Sequence, residues 1–202
     1  WFNGMKKFTF PFDKHEIPEN GIYILFEKNE FAHSTNRIVR IGTHTGDNQL
    51  RSRLFQHFLK ENKDRSIFRK NIGRALLNKD KDIFLPKWEL DLTTRNAKNL
   101  HSDSVDFEKQ KEIEKRVTKQ IQDNFSFVVF QIDEKDKRLE FEAKIISTVS
   151  LCENCKPSGN WLGNFSPKEK IVKSGLWLVN ELWKTPLSNE NMIELKQLLN
   201  IE

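Results

Sequence analysis

The chain has 202 residues, of which 37% are hydrophobic and 31% charged, a composition that describes a soluble globular protein and excludes a disordered one. No apolar run approaches the roughly 20 residues that cross a bilayer, and no signal-peptide pattern opens the chain. We therefore expect a cytoplasmic protein with no membrane partner. Residue 1 is tryptophan, so Met5 is a candidate for the natural start, with residues 1–4 added ahead of it.

The net charge of +5 is concentrated in one segment. Residues 51–74 contain eight lysines or arginines against Glu61 and Asp64, so this segment alone carries +6. A local basic field suits a polyanionic substrate, because neutralised phosphates supply most of the nonspecific affinity for nucleic acid. The same pattern, taken in isolation, is also typical of a solubilising face.

Two β-rich runs come first along the chain. Residues 20–27 and 37–42 predict strands, and the polar stretch 28–36 between them predicts a hairpin loop. A turn-rich link then leads into a helix predicted from about Leu50 to Asn62. We expect its apolar stripe to consist of Leu50, Leu54, Phe58 and Leu59.

The same predicted helix has a polar face. Arg53, Gln56, His57 and Lys60 are spaced three and four residues apart, so we expect them to share the accessible side. Ser66 is a candidate N-cap for a second helix over residues 67–77.

The middle of the chain is polar and mixed. A helix is predicted over residues 106–123, but Ile113, Val117 and Ile121 give it only a narrow apolar stripe, which is typical of a helix on the surface. Residues 125–132 are apolar on both alternating faces and predict a strand covered on both sides. A helix is predicted over residues 137–151, and the segments 175–183 and 191–199 are predicted to pack on the core.

The order of three motifs is the most informative feature of the sequence. Gly21-Ile22-Tyr23 contains the only tyrosine, Arg40-Ile41-Gly42 follows it, and residues 50–57 then carry Arg-Leu-x-x-His. This series resembles the GIY-YIG nuclease family, strongly over residues 20–78 and more loosely over 125–165. The resemblance implies an endonuclease that hydrolyses DNA phosphodiester bonds.

The resemblance also implies the fold and the domain organisation. We expect an α/β domain with a small, mainly antiparallel three-stranded sheet flanked by helices. Residues 1–19 would be an N-terminal extension, 20–165 the nuclease domain with an insertion at about 79–124, and 166–202 C-terminal elements that pack on the core. The insertion is assigned no chemistry.

Three residues are implied as catalytic by their motif positions. Tyr23 would position or deprotonate the attacking water. Arg53 corresponds to the family's catalytic arginine, and its forked guanidinium matches a phosphate. His57 would accept a proton from Tyr23 or hydrogen-bond the scissile phosphate, with a polar surface residue as the alternative.

A metal ligand and a positioning residue follow from the same resemblance. Glu142 heads an E-x-x-Ile-Ile pattern that matches the family's metal-binding glutamate, and a single carboxylate suits Mg²⁺ or Mn²⁺. Glu140 is the competitor by proximity, although it lies on another side of the helix. Asn160, in the loop after Pro157, is a positioning candidate, and Asn164 stays open as an alternative.

One position departs from the family pattern. Arg40 occupies the place of the usual second tyrosine, and arginine cannot shuttle protons because it is effectively always charged. We expect it to hold phosphate instead. A catalytically silent nucleic-acid-binding module is therefore one alternative function, and a protein-interaction domain that uses the 79–124 insertion is another.

Further basic residues are candidates for binding the DNA backbone, and Gly73 would permit close packing or close approach. These candidates are Arg51, Lys60, Arg69, Lys70 and Arg74. A homodimer is compatible with this function, because double-strand cleavage by a single-site nuclease often needs two copies.

The two cysteines, Cys152 and Cys155, form one Cys-x-x-Cys. A structural zinc site needs four ligands, and no histidine after His101 is present to contribute. We expect two reduced cysteines near a helix end.

Overall fold

A computed structural model describes residues 1–201 and confirms the α/β class. The sheet is antiparallel and has the strand order β1-β4-β2-β3. Its strands are β1 (Phe8–Thr9), β2 (Gly21–Ala32), β3 (Thr35–Gly42) and β4 (Phe125–Gln131). The sheet has four strands rather than the predicted three, because the N-terminal segment adds a two-residue edge strand in which Phe8 pairs with Phe127.

Strand β2 lies in the middle of the sheet and carries the tyrosine motif. It pairs with β3 on one side and with β4 on the other, so Tyr23 faces Gly42 across one ladder and Val129 across the other. Residues 21–27 are buried throughout, as expected for a strand covered on both faces. The position of Tyr23 is therefore fixed by a strand that is hydrogen-bonded on both sides.

The β2–β3 connection differs from the predicted loop at 28–36. Both strands extend through that region, and Ala32 pairs with Thr35 around a two-residue turn. His33 and Ser34 form this turn with φ angles of 51° and 60°. Two consecutive positive φ angles match the right-handed twist of a hairpin, which is why so polar a stretch can still close tightly.

Eight helices surround the sheet in the part of the chain that the structure describes. They are α1 (Leu50–Phe58), α2 (Ile67–Lys79), α3 (Leu85–Glu89), α4 (Arg95–His101), α5 (Phe107–Asn124), α6 (Lys135–Ser150), α7 (Glu169–Ser174) and α8 (Asn189–Leu198). The predicted helices are thus present, although α1 ends four residues before its predicted end. Ser66 caps α2 as predicted, and its side chain accepts a hydrogen bond from the Arg69 amide.

The core has two halves, one on each face of the sheet. One face packs against α1, α2 and α5 through residues such as Leu54, Phe68 and Val117. The other face packs against α6 and the C-terminal segment through residues such as Phe141 and Ile145. Helices α1 and α6 consequently lie on opposite faces.

The 79–124 segment packs closely on the rest of the chain. Trp88 of α3 contacts Gly73 of α2 so closely that a Cβ at this glycine would overlap the indole ring. Helix α5 lies on the surface and buries Ile113, Val117 and Ile121, as its narrow stripe predicts. No helix among residues 1–201 has both the length and the apolar character needed to span a bilayer.

Candidate active site

Tyr23 and His57 meet at the interface between β2 and α1. The Tyr23 hydroxyl lies 2.8 Å from His57 Nε2, and both side chains are fully buried. Gly42 makes room for this pair, because a Cβ at that position would overlap the phenol oxygen. The last glycine of the second motif thus has a steric role next to the tyrosine of the first motif.

Arg40 is the second partner of the phenol. Its Nε donates to the Tyr23 hydroxyl at 3.3 Å, and its Nη1 donates to the carbonyl of Trp177 at 2.5 Å. Arg40 is buried and also lies over the ring of Phe68. The C-terminal segment therefore holds in place the arginine that replaces the family's second tyrosine.

The hydrogen bonds around His57 favour one tautomer. Every group has a partner when the Tyr23 oxygen accepts from Arg40 and the Tyr23 hydroxyl donates to His57 Nε2. Nδ1 then carries the ring proton and donates to Ser66 Oγ at 2.7 Å. Burial, together with Arg40, Arg53 and Arg69, holds the pKa of His57 well below its usual value, so the ring is neutral.

The structure corrects the predicted faces of α1. His57 belongs to the buried face with Leu50, Leu54 and Phe58, whereas Leu59 is exposed. A histidine can be fully buried here because both ring nitrogens have partners. Its role as a polar surface residue is excluded by this burial.

Arg53 lines an open cleft one turn before His57. The cleft has a volume of about 220 Å³ and is lined by Thr43, His44, Thr45, Gln49, Ser52, Arg53 and Gln56. Among the residues that the structure describes, its guanidinium makes two hydrogen bonds, both long, at 3.3 Å to Gln56 Oε1 and at 3.3 Å to the Arg65 carbonyl. Its remaining donors are available to a phosphate in the cleft.

Glu142 approaches the same cleft from α6. Its Oε1 accepts a hydrogen bond from the Thr43 amide at 2.9 Å, and Thr43 lines the cleft beside Arg53. Burial raises the pKa of Glu142, although the charges of Arg40 and Arg53 oppose this rise. No hydrogen bond within residues 1–201 reaches Oε2, so that oxygen is free to bind a cation.

Glu140 is in a different environment. Its carboxylate is exposed and pairs with Lys144 at 2.6 Å, one turn along α6. It takes no part in the contacts around Thr43. The helix register therefore brings Glu142, and not Glu140, to the cleft.

Two residues at the end of β3 were not singled out from the sequence. Thr43 Oγ1 donates to the Gly21 carbonyl at 2.7 Å, which ties the cleft to the start of β2. His44 Nδ1 donates to the Gly46 carbonyl at 2.6 Å, and its Nε2 accepts from the Gly21 amide. Burial lowers the pKa of His44, in keeping with this acceptor role. Only their position directly after the second motif could have pointed to them.

The predicted backbone contacts of α2 need correction. Arg69, Lys70 and Arg74 are buried, and their charged groups are bound inside the protein. Arg69 Nη2 pairs with Glu114 at 2.7 Å, and Arg74 Nε pairs with Glu89 at 2.5 Å. Lys70 Nζ donates to the Glu89 carbonyl at 2.8 Å. All three charged groups are thus engaged within the fold and are not presented to a phosphate on the surface.

The two remaining basic candidates, Lys60 and Arg51, take no part in these ion pairs of α2. Lys60 is exposed, whereas Arg51 is partly buried and donates to the Ile17 carbonyl at 2.7 Å. Arg51 also pairs with Glu19 at 3.2 Å. Lys60 therefore keeps its charge available, and Arg51 shares its charge with the N-terminal extension.

Asn160 lies apart from the Tyr23 cluster. It is exposed and lines a different cleft, which also includes Glu30, Lys79 and Leu162. Asn164 donates to the carbonyls of Ser158 and Gly159 and so stabilises this loop. Neither asparagine makes a hydrogen bond to Tyr23, and the positioning role predicted for Asn160 therefore has no contact to support it.

The two cysteines have a histidine partner that the sequence did not suggest. His33 Nε2 lies 3.2 Å from Cys152 Sγ and 3.3 Å from Cys155 Sγ. The search after His101 missed this partner, because His33 precedes Cys152 by 119 residues and is brought to it by the hairpin turn. Both cysteines are free thiols, as expected.

Comparison with known proteins agrees with the geometry. A profile described as the GIY-YIG domain matches residues 2–200, including the segment 79–124. No curated protein and no solved structure matches the chain. The profile spans nearly the whole chain. The chain therefore belongs to the GIY-YIG domain family, a family of nucleases.

Proposed function

We propose that this protein is a metal-dependent endonuclease that hydrolyses DNA phosphodiester bonds. One observation carries this proposal. Thr43 and Arg53 line a single cleft, and the Thr43 amide binds the carboxylate of Glu142. The Arg53 guanidinium, which can bind a phosphate, and the Glu142 carboxylate, which can bind a metal, thus reach one place from opposite faces of the sheet.

Arg53 would bind the scissile phosphate and stabilise its developing negative charge. Its guanidinium is permanently charged and lies at the wall of an open cleft, where few protein groups compete for its donors. A charge fixed in advance by the fold needs no rearrangement during the reaction, which is how such groups lower a barrier. Gln56 and the Arg65 carbonyl hold the side chain loosely in this position.

Tyr23 and its partners would handle the proton side of the reaction. The Tyr23 hydroxyl donates to neutral His57, so the imidazole orients the phenol as a hydrogen-bond acceptor. Arg40 donates to the phenol oxygen and would face any negative charge that develops there. Arg40 would thus stabilise negative charge on the Tyr23 oxygen, whereas a second tyrosine at this position could transfer a proton.

The residues around Glu142 fit the metal that the family requires. A carboxylate oxygen is a hard ligand of the type that Mg²⁺ and Mn²⁺ prefer, and Mg²⁺ takes few protein ligands because it keeps most of its waters. The Thr43 amide binds one carboxylate oxygen, and the other oxygen has no hydrogen-bond partner among residues 1–201. When bound there, the metal would supply Lewis-acid stabilisation of the leaving oxygen.

A catalytically silent nucleic-acid-binding module is the second candidate. Tyr23 is fully buried, and both of its hydrogen-bonding partners are protein side chains. For Tyr23 to reach a water, the packing around the phenol has to move. If it does not move, the cleft would bind a phosphate through Arg53 without cutting the chain.

Plasmid nicking separates the two candidates. The wild-type protein should convert supercoiled plasmid to the nicked form in Mg²⁺, and Glu142→Gln should remove this activity at every Mg²⁺ concentration. Glu140→Gln is the matched control, since that carboxylate lies on the same helix but pairs with Lys144 in solvent. Tyr23→Phe tests the phenol directly.

The binding measurement gives the contrasting outcome. DNA affinity is measured in the presence of a chelator, where no cleavage occurs. Wild-type protein that binds DNA but never nicks it in Mg²⁺ or Mn²⁺ would establish the silent module. Protein that does neither at low salt would favour the interaction domain built on residues 79–124.

A further inference from the structure

We infer that His33, Cys152 and Cys155 form a zinc site, separate from the candidate active site and structural in its effect. The proposal starts from geometry. The three ligand atoms lie within 4.8 Å of one another, and His33 Nε2 is 3.2 Å and 3.3 Å from the two sulfurs. Zinc bonds of about 2.3 Å to sulfur and about 2.0 Å to nitrogen place such donors roughly 3.5 Å apart in a tetrahedron.

The type of ligand selects the metal. Two thiols and one imidazole are soft or intermediate donors, and this set favours Zn²⁺ over Mg²⁺ or Ca²⁺. Both cysteines are free thiols in a short loop after α6. A two-residue spacing between cysteines is the usual one for a pair that binds a single zinc ion. The fourth position is assigned to water, because His33 is exposed.

The backbone places His33 for this role. It occupies the two-residue turn between β2 and β3 with a φ of 51°, an uncommon conformation for a residue with a side chain. This conformation carries the imidazole over the loop that follows α6. A glycine or asparagine would form the same turn with less strain but would offer the cysteines no imidazole.

Neighbouring contacts already dock the same two segments. Glu30 of β2 accepts hydrogen bonds from the Ser158 amide at 3.1 Å and from the Ser158 hydroxyl at 2.5 Å. Arg37 of β3 binds the same carboxylate at 2.6 Å. A zinc ion at the end of this interface would fasten the tip of the hairpin to the end of α6.

The site is distinct from the one at Glu142. Cys152 follows Glu142 by ten residues, which along a helix corresponds to about 15 Å. The two sites also differ in ligand chemistry, one carboxylate against two thiols and an imidazole. The zinc therefore acts on the position of α6, the helix that carries Glu142, and takes no part in the proposed hydrolysis.

Metal content and cobalt spectroscopy test the site without any nuclease assay. Full-length protein purified with reduced thiols and no chelator should contain one zinc ion per chain. After zinc removal, Co²⁺ should give a thiolate-to-metal charge-transfer band that saturates at one equivalent. Zn²⁺ at a hundred times its dissociation constant should raise the melting temperature by roughly 5–10 °C.

Variants identify the ligands. Cys155→Ser should abolish the charge-transfer band or weaken zinc binding by at least about 100-fold, and His33→Ala should weaken it similarly. His15→Ala is the matched control, because His15 is also exposed and, within residues 1–201, belongs to no such cluster. Glu142→Gln should leave zinc binding unchanged, which separates this site from the other.

The Co²⁺ spectrum of the wild-type protein tests the zinc site even if a variant fails to fold. Two free thiols by chemical titration, with no stoichiometric zinc and no cobalt charge-transfer band, would overturn the site. So would a Cys152–Cys155 disulfide that persists under reducing conditions. A band that persists with unchanged affinity in His33→Ala would exclude the three-ligand site.

Discussion

Two parts of the basic segment 51–74 have opposite environments. Arg53 of α1 lines an open cleft and makes only long hydrogen bonds. Arg69 of α2 is fully buried, and its guanidinium binds the Glu114 carboxylate, the His57 carbonyl and the Thr118 hydroxyl. The two arginines look alike in the sequence, yet only Arg53 has donors to offer a substrate.

The carboxylates of the two regions differ in the same way. Burial raises the pKa of both Glu114 and Glu142. Glu114 is paired with Arg69 and also accepts a hydrogen bond from the Lys63 amide, whereas within residues 1–201 the Thr43 amide is the single hydrogen-bond partner of Glu142. A buried charge whose partners are complete stabilises the fold, and one whose partners are incomplete is a candidate for function.

The largest expected effect is on stability, from the α2 region. Arg69→Met should lower the free energy of unfolding by about 3–5 kcal/mol, because it leaves the buried Glu114 carboxylate without its cation. Arg65→Met, at an exposed arginine four residues earlier, should change it by less than about 0.5 kcal/mol. Urea unfolding measures both. Equal effects of the two substitutions would contradict the distinction between the regions.

The next effect is on rate, from the cleft. Arg53→Ala should reduce DNA cleavage by about 10²- to 10³-fold, because it removes a charge placed to stabilise the transition state. Its unfolding midpoint should stay close to that of the wild type, since the hydrogen bonds of this side chain to Gln56 and to the Arg65 carbonyl are both long. Arg116→Ala, at a surface arginine paired with Asp80, is the control and should cleave normally. Cleavage by Arg53→Ala within a few-fold of wild type would remove Arg53 from the site.

A third buried carboxylate, Glu27, differs from both Glu114 and Glu142 because its principal hydrogen-bond donors are neutral indoles. It accepts from the indole nitrogens of Trp161 and Trp177 at 2.7 Å and 2.9 Å. Burial raises its pKa to about 7. The folded state therefore holds this proton more tightly than the unfolded state, so the stabilisation is complete below the unfolded pKa and is lost as the pH rises towards 7.

Glu27→Gln should remove that pH dependence. The variant should gain up to about 3 kcal/mol over the wild type as the pH rises from about 5 to 8, because its neutral amide oxygen can still accept from the indoles. Glu61→Gln, at an exposed carboxylate, should follow the wild-type curve. Unfolding curves across this pH range measure the difference. A wild type and Glu27→Gln with parallel pH profiles would mean that Glu27 is ionised without cost.

The sequence alone predicted the central strands and the helices that follow them, and its motifs indicated the family. A β-rich run predicted β2, and a run that is apolar on both alternating faces predicted β4. The motif positions of Tyr23 and His57 indicated that these two side chains would meet, as they do. The E-x-x-Ile-Ile pattern predicted the register of α6, because burying Ile145 and Ile146 leaves Glu142 on a different side from Glu140. These features are local, and spacing along one element is enough to predict them.

Only the tertiary structure decided which charges are available and which distant residues meet. Arg69 and Arg74 are neutralised by Glu114 and Glu89, carboxylates of the 79–124 segment, and no local pattern links those positions. His33 reaches the cysteines because a tight turn and the end of α6 converge in space. Charge and metal chemistry depend on distances between side chains, and for residues far apart in the chain those distances exist only after packing.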